Sequence, residues 1–133
     1  MELRPIARAA ALGLAATALL TAVIFAWVLV HAYVVAPGHA PAHYQAYAAR
    51  VAPLAGIAVG LPVFALAGHF AVRHRAYALP LALTPAATFI LIDLVLLAAF
   101  QREAFTAWPL LLLSWLSKLV AALLGGRIAS RAA

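Results

Sequence analysis

Two charged residues stand in stretches that otherwise hold almost nothing but apolar side chains. Asp93 interrupts the run at residues 76–100, and Lys118 interrupts the run at residues 104–126. A lone ionised side chain at the centre of a lipid-spanning helix costs about 2.5–3.5 kcal/mol on insertion scales, so such residues are kept for a partner or a task. Their depths can be compared. Asp93 lies about 10 Å inside the end of its run at Phe100, and Lys118 about 13 Å inside the start of its own near Pro109, at 1.5 Å per helical residue. The two runs are consecutive and joined by a short turn, so their helices are expected to be antiparallel neighbours. The spacing predicts an intramembrane ion pair, Asp93–Lys118. Ser114 and Ser117 share the Lys118 stripe with Ala121 and Gly125, and form a narrow candidate polar seam. Thr84 and Thr88 point away from Asp93 and are expected to bond back to their own helix near Pro85. Such a pair reads in two ways: as a lock between two helices, or as a proton or ion site.

His31, His39 and His43 form a second group. Imidazole is a common ligand of transition metals, and the i, i+4 spacing of His39 and His43 can place two rings on one helical face. These three are the candidate metal ligands, although Pro41 stands between two of them and no carboxylate joins the set. A haem between His31 and His69 is excluded, because the two belong to opposite ends of their helices. His69 and His74 mark the other end, with His74 between Arg73 and Arg75.

Several chemistries are excluded outright. The chain has no cysteine, hence no disulfide, thiolate metal site or thiol redox chemistry. It has no HExxH motif, no GxSxG elbow and no phosphate-binding loop. Its three carboxylates, Glu2, Asp93 and Glu103, are too far apart in depth to act as a catalytic pair. No cofactor site is predicted, and the expectation is a protein that is not an enzyme.

The elements that must position these residues follow from composition. Of 133 residues, 68% are hydrophobic and 9% charged. A soluble domain carries roughly 25% charged residues, so this chain cannot clothe itself for water. Its apolar residues fall in four runs: 9–35, 51–72, 76–100 and 104–126. Each reaches the ~20 residues that a helix needs to cross a bilayer, and helix is the default because lipid cannot satisfy free backbone groups. The first run is too long for a signal peptide and is read as a retained helix. The expected fold is all-α: one transmembrane domain over residues 1–133, an up-down-up-down four-helix bundle. Its helices are placed at about 9–35, 47–73, 76–100 and 106–128, with an outer loop at 36–46.

Arg4, Arg8, Arg73, Arg75, Arg127 and Arg131 fall on one side of that topology, and Arg50 and Arg102 on the other. The positive-inside rule then puts both termini in the cytoplasm. The net charge of +6 reads as topology signal and lipid contact rather than nucleic-acid binding, because basic residues flank the apolar runs instead of forming a stripe. Tyr33, Tyr44 and Tyr47 are expected to form an outer aromatic belt, with Tyr77 at the inner boundary. Gly56 and Gly60 match a small-xxx-small packing motif, and Ala9, Gly13 and Ala16 offer small surface on the first helix. Pro62 is expected to kink the second helix, and Pro80 and Pro85 the third.

Three families of four-helix membrane protein are excluded by residue. The first run lacks the glutamate of small multidrug-resistance carriers. The chain has no asparagine for a fluoride-channel signature, and no cysteine for quinone-linked disulfide formation. What is left is a generic similarity to small bacterial membrane proteins of the inner membrane, in architecture alone. The functional expectation is a non-enzymatic accessory or structural membrane subunit, surrounded by lipid and associated with a larger membrane complex or with itself. The alternative is a small homo-oligomeric proton- or ion-coupled transporter or channel using Asp93 and Lys118.

Overall fold

A computed structural model describes residues 3–73, 75 and 78–132. The expectations for His74 and Tyr77 fall outside these. The described residues form an all-helical fold with four long helices: α1 Leu3–Val30, α2 Pro41–Val72, α3 Leu79–Phe100 and α4 Trp108–Arg131. A π-helical turn, His31–Val35, prolongs α1, and a 3-10 turn, Arg102–Ala107, leads into α4. Each helix is long and apolar enough to cross a membrane.

Proline sets three of the four beginnings. Pro41, Pro80 and Pro109 sit in the first turn of α2, α3 and α4, where the missing N–H is one the helix could not have used. Pro80 therefore starts α3 and does not kink it, which corrects the expectation; Pro85 does lie inside α3, and Pro53 and Pro62 inside α2. Because α2 begins at Pro41, six residues before the predicted boundary at 47, the outer connection shrinks to a turn at residues 36–40, closed by Gly38 at φ 84°. At about 48 Å, by 1.5 Å per residue, α2 is longer than the ~30 Å hydrocarbon thickness, so its first turns project beyond the apolar run. The threonines behave as expected: Thr84 donates to the Pro80 carbonyl at 2.6 Å and Thr88 to that of Thr84 at 2.8 Å. Arg102 Nε closes the end of α3 on the Ala98 carbonyl at 3.0 Å.

The packing departs from a set of sequential hairpins. The most extensive interface joins α2 to α4, with smaller ones between α1 and α2, α1 and α3, α2 and α3, and α3 and α4. Gly68 lies against the Ala122 carbonyl and Gly125 against that of Ala65, while Gly60 meets Lys118, so α2 and α4 run side by side in the same direction. Their backbones touch because neither glycine has a side chain to hold them apart. Gly13 does the same for α1 against Pro85 and Thr88 of α3, where a Cβ would come within 2.7 Å of the Pro85 carbonyl. Ala9, Gly13 and Ala16 are all buried, as expected of the small face of α1.

The core forms two clusters. One gathers Ala16, Leu20, Phe64, Ala67, Ala86, Ala121 and Ala122; the other gathers Ala9, Ala71, Val72, Leu81, Ala82 and Ala129. Alanine dominates both, so the helices gain their contact through close approach rather than bulky interdigitation. Large apolar side chains such as Phe25, Leu91, Leu116 and Ile128 point outward instead. That is the inverse of a soluble bundle, and what a lipid solvent asks for.

Candidate functional site

Lys118 is fully buried, with none of its surface accessible, and is the only charged side chain among the buried described residues. Helical side chains lean toward the N-terminus of their own helix. Lys118 accordingly reaches back one turn, and its Nζ donates to Ser114 Oγ at 2.7 Å and to the Ser114 carbonyl at 3.2 Å. A third contact comes from α3, where the Phe89 ring faces the ammonium at 4.6 Å from its centroid. A desolvated cation–π contact is worth about 2 kcal/mol and a hydrogen bond from a charged donor about 1.5–3 kcal/mol. Together these are enough to offset the ~2.5–3.5 kcal/mol cost of inserting the charge.

Room for the side chain comes from α2. A Cβ on Gly60 would lie 3.1 Å from Lys118 Cε, and one on Gly56 would lie 3.9 Å from both Nζ and Ser114 Oγ. The Gly56–Gly60 pair, expected to bring two helices together, instead forms the trough that holds the lysine stem. The tight crossing lies further along, at Gly68 and Gly125.

Asp93 and Lys118 do not pair directly, which corrects the predicted ion pair. Asp93 Oδ2 accepts a hydrogen bond from Trp115 Nε1 at 2.7 Å, and the lysine is held by Ser114. The reason lies in the order of residues on α4. Trp115 stands one turn before Lys118 on α4, and its indole N–H reaches the Asp93 carboxylate first. Asp93 remains partly open, whereas Lys118 is sealed. Ser114 belongs to the node; Ser117 turns its hydroxyl onto the same Ser114 carbonyl at 2.7 Å and touches neither charge.

Sequence reading missed Trp115 and Phe89 as partners of the two charges. The signal was present: each stands one helical turn from a charged residue, Trp115 before Lys118 and Phe89 before Asp93. Each then crosses to the charge on the opposite helix.

His31, His39 and His43 do come together, but face to face. His39 stacks on His43 with ring centroids 4.2 Å apart and planes 20° apart, and His31 lies 6.2 Å from His43 at 18°. His31 stacks in turn on Tyr47 at 3.5 Å and 6°. Ring nitrogens hold their lone pairs in the ring plane, so stacked rings aim them side by side and not at one point. No group of three metal-capable side chains converges among the described residues. The expected His31–His39–His43 metal set is therefore not formed.

Tyr44 and Tyr47 serve this cap rather than a simple belt. Tyr44 Oη donates to the Ala36 carbonyl at 2.9 Å and accepts from the His39 amide at 3.1 Å. Trp27 Nε1 donates to Tyr47 Oη at 2.9 Å, tying α1 to α2. Tyr33 is the one that stands free, at 77% exposure. Beside the cap, an apolar groove of about 390 Å³ runs between α1 and α2, lined by Thr21, Ile24, Phe25, Val28, Tyr44, Gln45 and Ala48. Comparison with known protein families, characterised proteins and solved structures finds no match.

Proposed function

We propose that this chain is a non-enzymatic, multi-pass subunit of a cytoplasmic membrane, accessory or structural in role. It crosses four times, in up-down-up-down order, with both termini in the cytoplasm. Four helices of sufficient length and apolarity support the crossing. Six arginines at one end of the helices against two at the other support the orientation. Its surroundings are lipid, and its partner is a larger membrane complex or further copies of itself.

One observation carries the role: both charges of the spans and three of their threonines are taken up by neighbouring groups. Lys118 is taken up by Ser114 and Phe89, Asp93 binds Trp115, and Thr17, Thr84 and Thr88 each bond a carbonyl of their own helix. A site that handles a polar substrate keeps donors and acceptors free for it. The second reading, a small homo-oligomeric proton- or ion-coupled transporter, rests on Asp93 alone, which stays partly open one turn outward of a sealed lysine.

Native mass spectrometry of the protein, gently extracted from its own membranes at native expression, separates the two. A defined complex with a larger membrane protein is the expected result. A homo-oligomer that carries proton flux after reconstitution, and loses it in Asp93→Asn, overturns the proposal in favour of transport.

A further inference from the structure

The outer cap joins three titratable rings to the only connection between α1 and α2. His39 and His43 are stacked at 4.2 Å, His31 lies 6.2 Å from His43, and His31 also rests on Tyr47. Arg50, two turns along α2 from His43, adds a fixed positive charge that acts on it. No acid balances these groups: the sequence has no Asp or Glu from residue 3 to residue 92. Glu103 belongs to the 3-10 turn that packs on α3 and α4. The groups facing His43 from the surrounding elements are thus His31 from the π turn, His39 from the loop, and Tyr44, Tyr47 and Arg50 from α2 itself. All are neutral or positive.

Stacked neutral imidazoles attract, whereas stacked imidazolium rings repel one another and the arginine. Histidine is the side chain whose ordinary titration, near pH ~6.5, falls where such a change matters. We infer that the His31–His39–His43 stack is an acid-released latch, which holds the outer ends of α1 and α2 together at neutral pH and lets them part when the outer medium acidifies.

Two hydrogen-bonded links carry the release onward. His39 Nδ1 lies 3.1 Å from the Ala36 carbonyl, which also accepts from Tyr44, and the His39 amide donates to Tyr44 Oη. Tyr44 in turn lines the groove between α1 and α2. A protonated His39 holds that carbonyl more tightly and stays anchored on the loop, so it is His43, on α2, that the repulsion moves away, taking its neighbour Tyr44 and the outer mouth of the groove with it. The other link is His31, whose partner Tyr47 receives the Trp27 indole bond across the helix pair.

The sign of the effect follows from linkage. His43 precedes the apolar run that starts at Val51; its side chain is exposed, yet it is held below the ordinary histidine range, first by partial desolvation against the neighbouring rings and then by the charges of His39, His31 and Arg50. A base whose native pKa is depressed favours the closed cap above pH ~6.5, and the closed cap loses that advantage as the pH falls below it.

The test is proton–nitrogen NMR of the full chain in lipid nanodiscs, following the Trp27 indole and the Gly38 amide from about pH 7.5 to about pH 5. The Trp27 signal is assigned through Trp27→Phe. Both signals are expected to move together, with a shared midpoint below ~6.5, and to stay still in His43→Gln. His39→Gln provides the same comparison if His43→Gln does not fold. A Trp27 indole that stays fixed across the range, or that shifts equally in the histidine variants, overturns the latch.

Discussion

Replacing Gly125 by alanine tests the feature on which the α2–α4 pair depends. A Cβ there would lie 2.7 Å from the Ala65 carbonyl carbon and 3.0 Å from its Cα, and closer still to the carbonyl oxygen. Carbon atoms rest about 3.5–4.0 Å apart, so the two backbones must separate by roughly 1 Å. An opening of that size forfeits a quarter to a half of the dispersion energy of each atom pair across the crossing. With about 40 such pairs at ~0.1–0.2 kcal/mol, the loss is about 1–4 kcal/mol. Alanine recovers about 1 kcal/mol through its better helix propensity, leaving a net destabilisation of up to about 3 kcal/mol, in the range of overpacked cores. Gly56→Ala is the internal control. Its Cβ meets nothing closer than 3.9 Å, so the propensity gain stands alone and the variant should equal or exceed the parent by up to about 1 kcal/mol. The assay is SDS titration of each variant in mild detergent, followed by circular dichroism. Equal midpoints for Gly125→Ala and Gly56→Ala would falsify the backbone-to-backbone crossing.

Three further outcomes follow from the same geometry. Asp93→Asn keeps an acceptor for the Trp115 indole and should lose about 1 kcal/mol, whereas Asp93→Leu strands that N–H and should lose about 1–3 kcal/mol; the Trp115 indole proton shift in NMR reports which bond survives. Lys118→Met fills the same trough without a charge, and apolar replacement of buried charges is often neutral or stabilising by about 1–4 kcal/mol; a large loss in SDS titration would show that the ammonium contacts are worth more than its desolvation. Gly38→Ala places a Cβ at φ 84° in the turn between α1 and α2, costing about 1 kcal/mol, and should be visible as faster amide exchange in the first turn of α2.

Helix number and type were legible because the signal is long and redundant: four apolar runs, each far above the length at which a single residue matters. Helix neighbours were less so. Chain adjacency suggested hairpins, but the largest interface joins α2 and α4, where Gly68 and Gly125 permit backbone contact. A glycine pair on two separate helices has no local signature, whereas Gly56 and Gly60, which do match a motif, accommodate a side chain instead. The two intramembrane charges were found from sequence, since each breaks an apolar run; their partners were not, because depth along the bundle does not say which side chain arrives first. The histidine cluster was likewise found, but ring orientation, which decides between ligation and stacking, is set by the π turn at His31–Val35 and the Gly38 turn together.

The separation of Asp93 from Lys118 makes a prediction that a direct pair would reverse. Two charges bonded to one another can be exchanged, since Asp93→Lys with Lys118→Asp recreates the same contact in mirror order. Here each charge has its own receptor, and neither receptor tolerates the other sign. The Phe89 ring offers its electron-rich face to position 118, which attracts an ammonium and repels a carboxylate. The Ser114 carbonyl accepts but cannot donate, so an aspartate at 118 would find one hydroxyl donor at most. At position 93 the Trp115 indole can only donate, and it would be left facing an ammonium that can only donate as well. The double exchange should therefore fold no better than the worse of its two single variants, when yield and SDS midpoint are measured for all four chains. Recovery in the double variant would mean that the two side chains meet after all, and that Ser114 and Trp115 are bystanders.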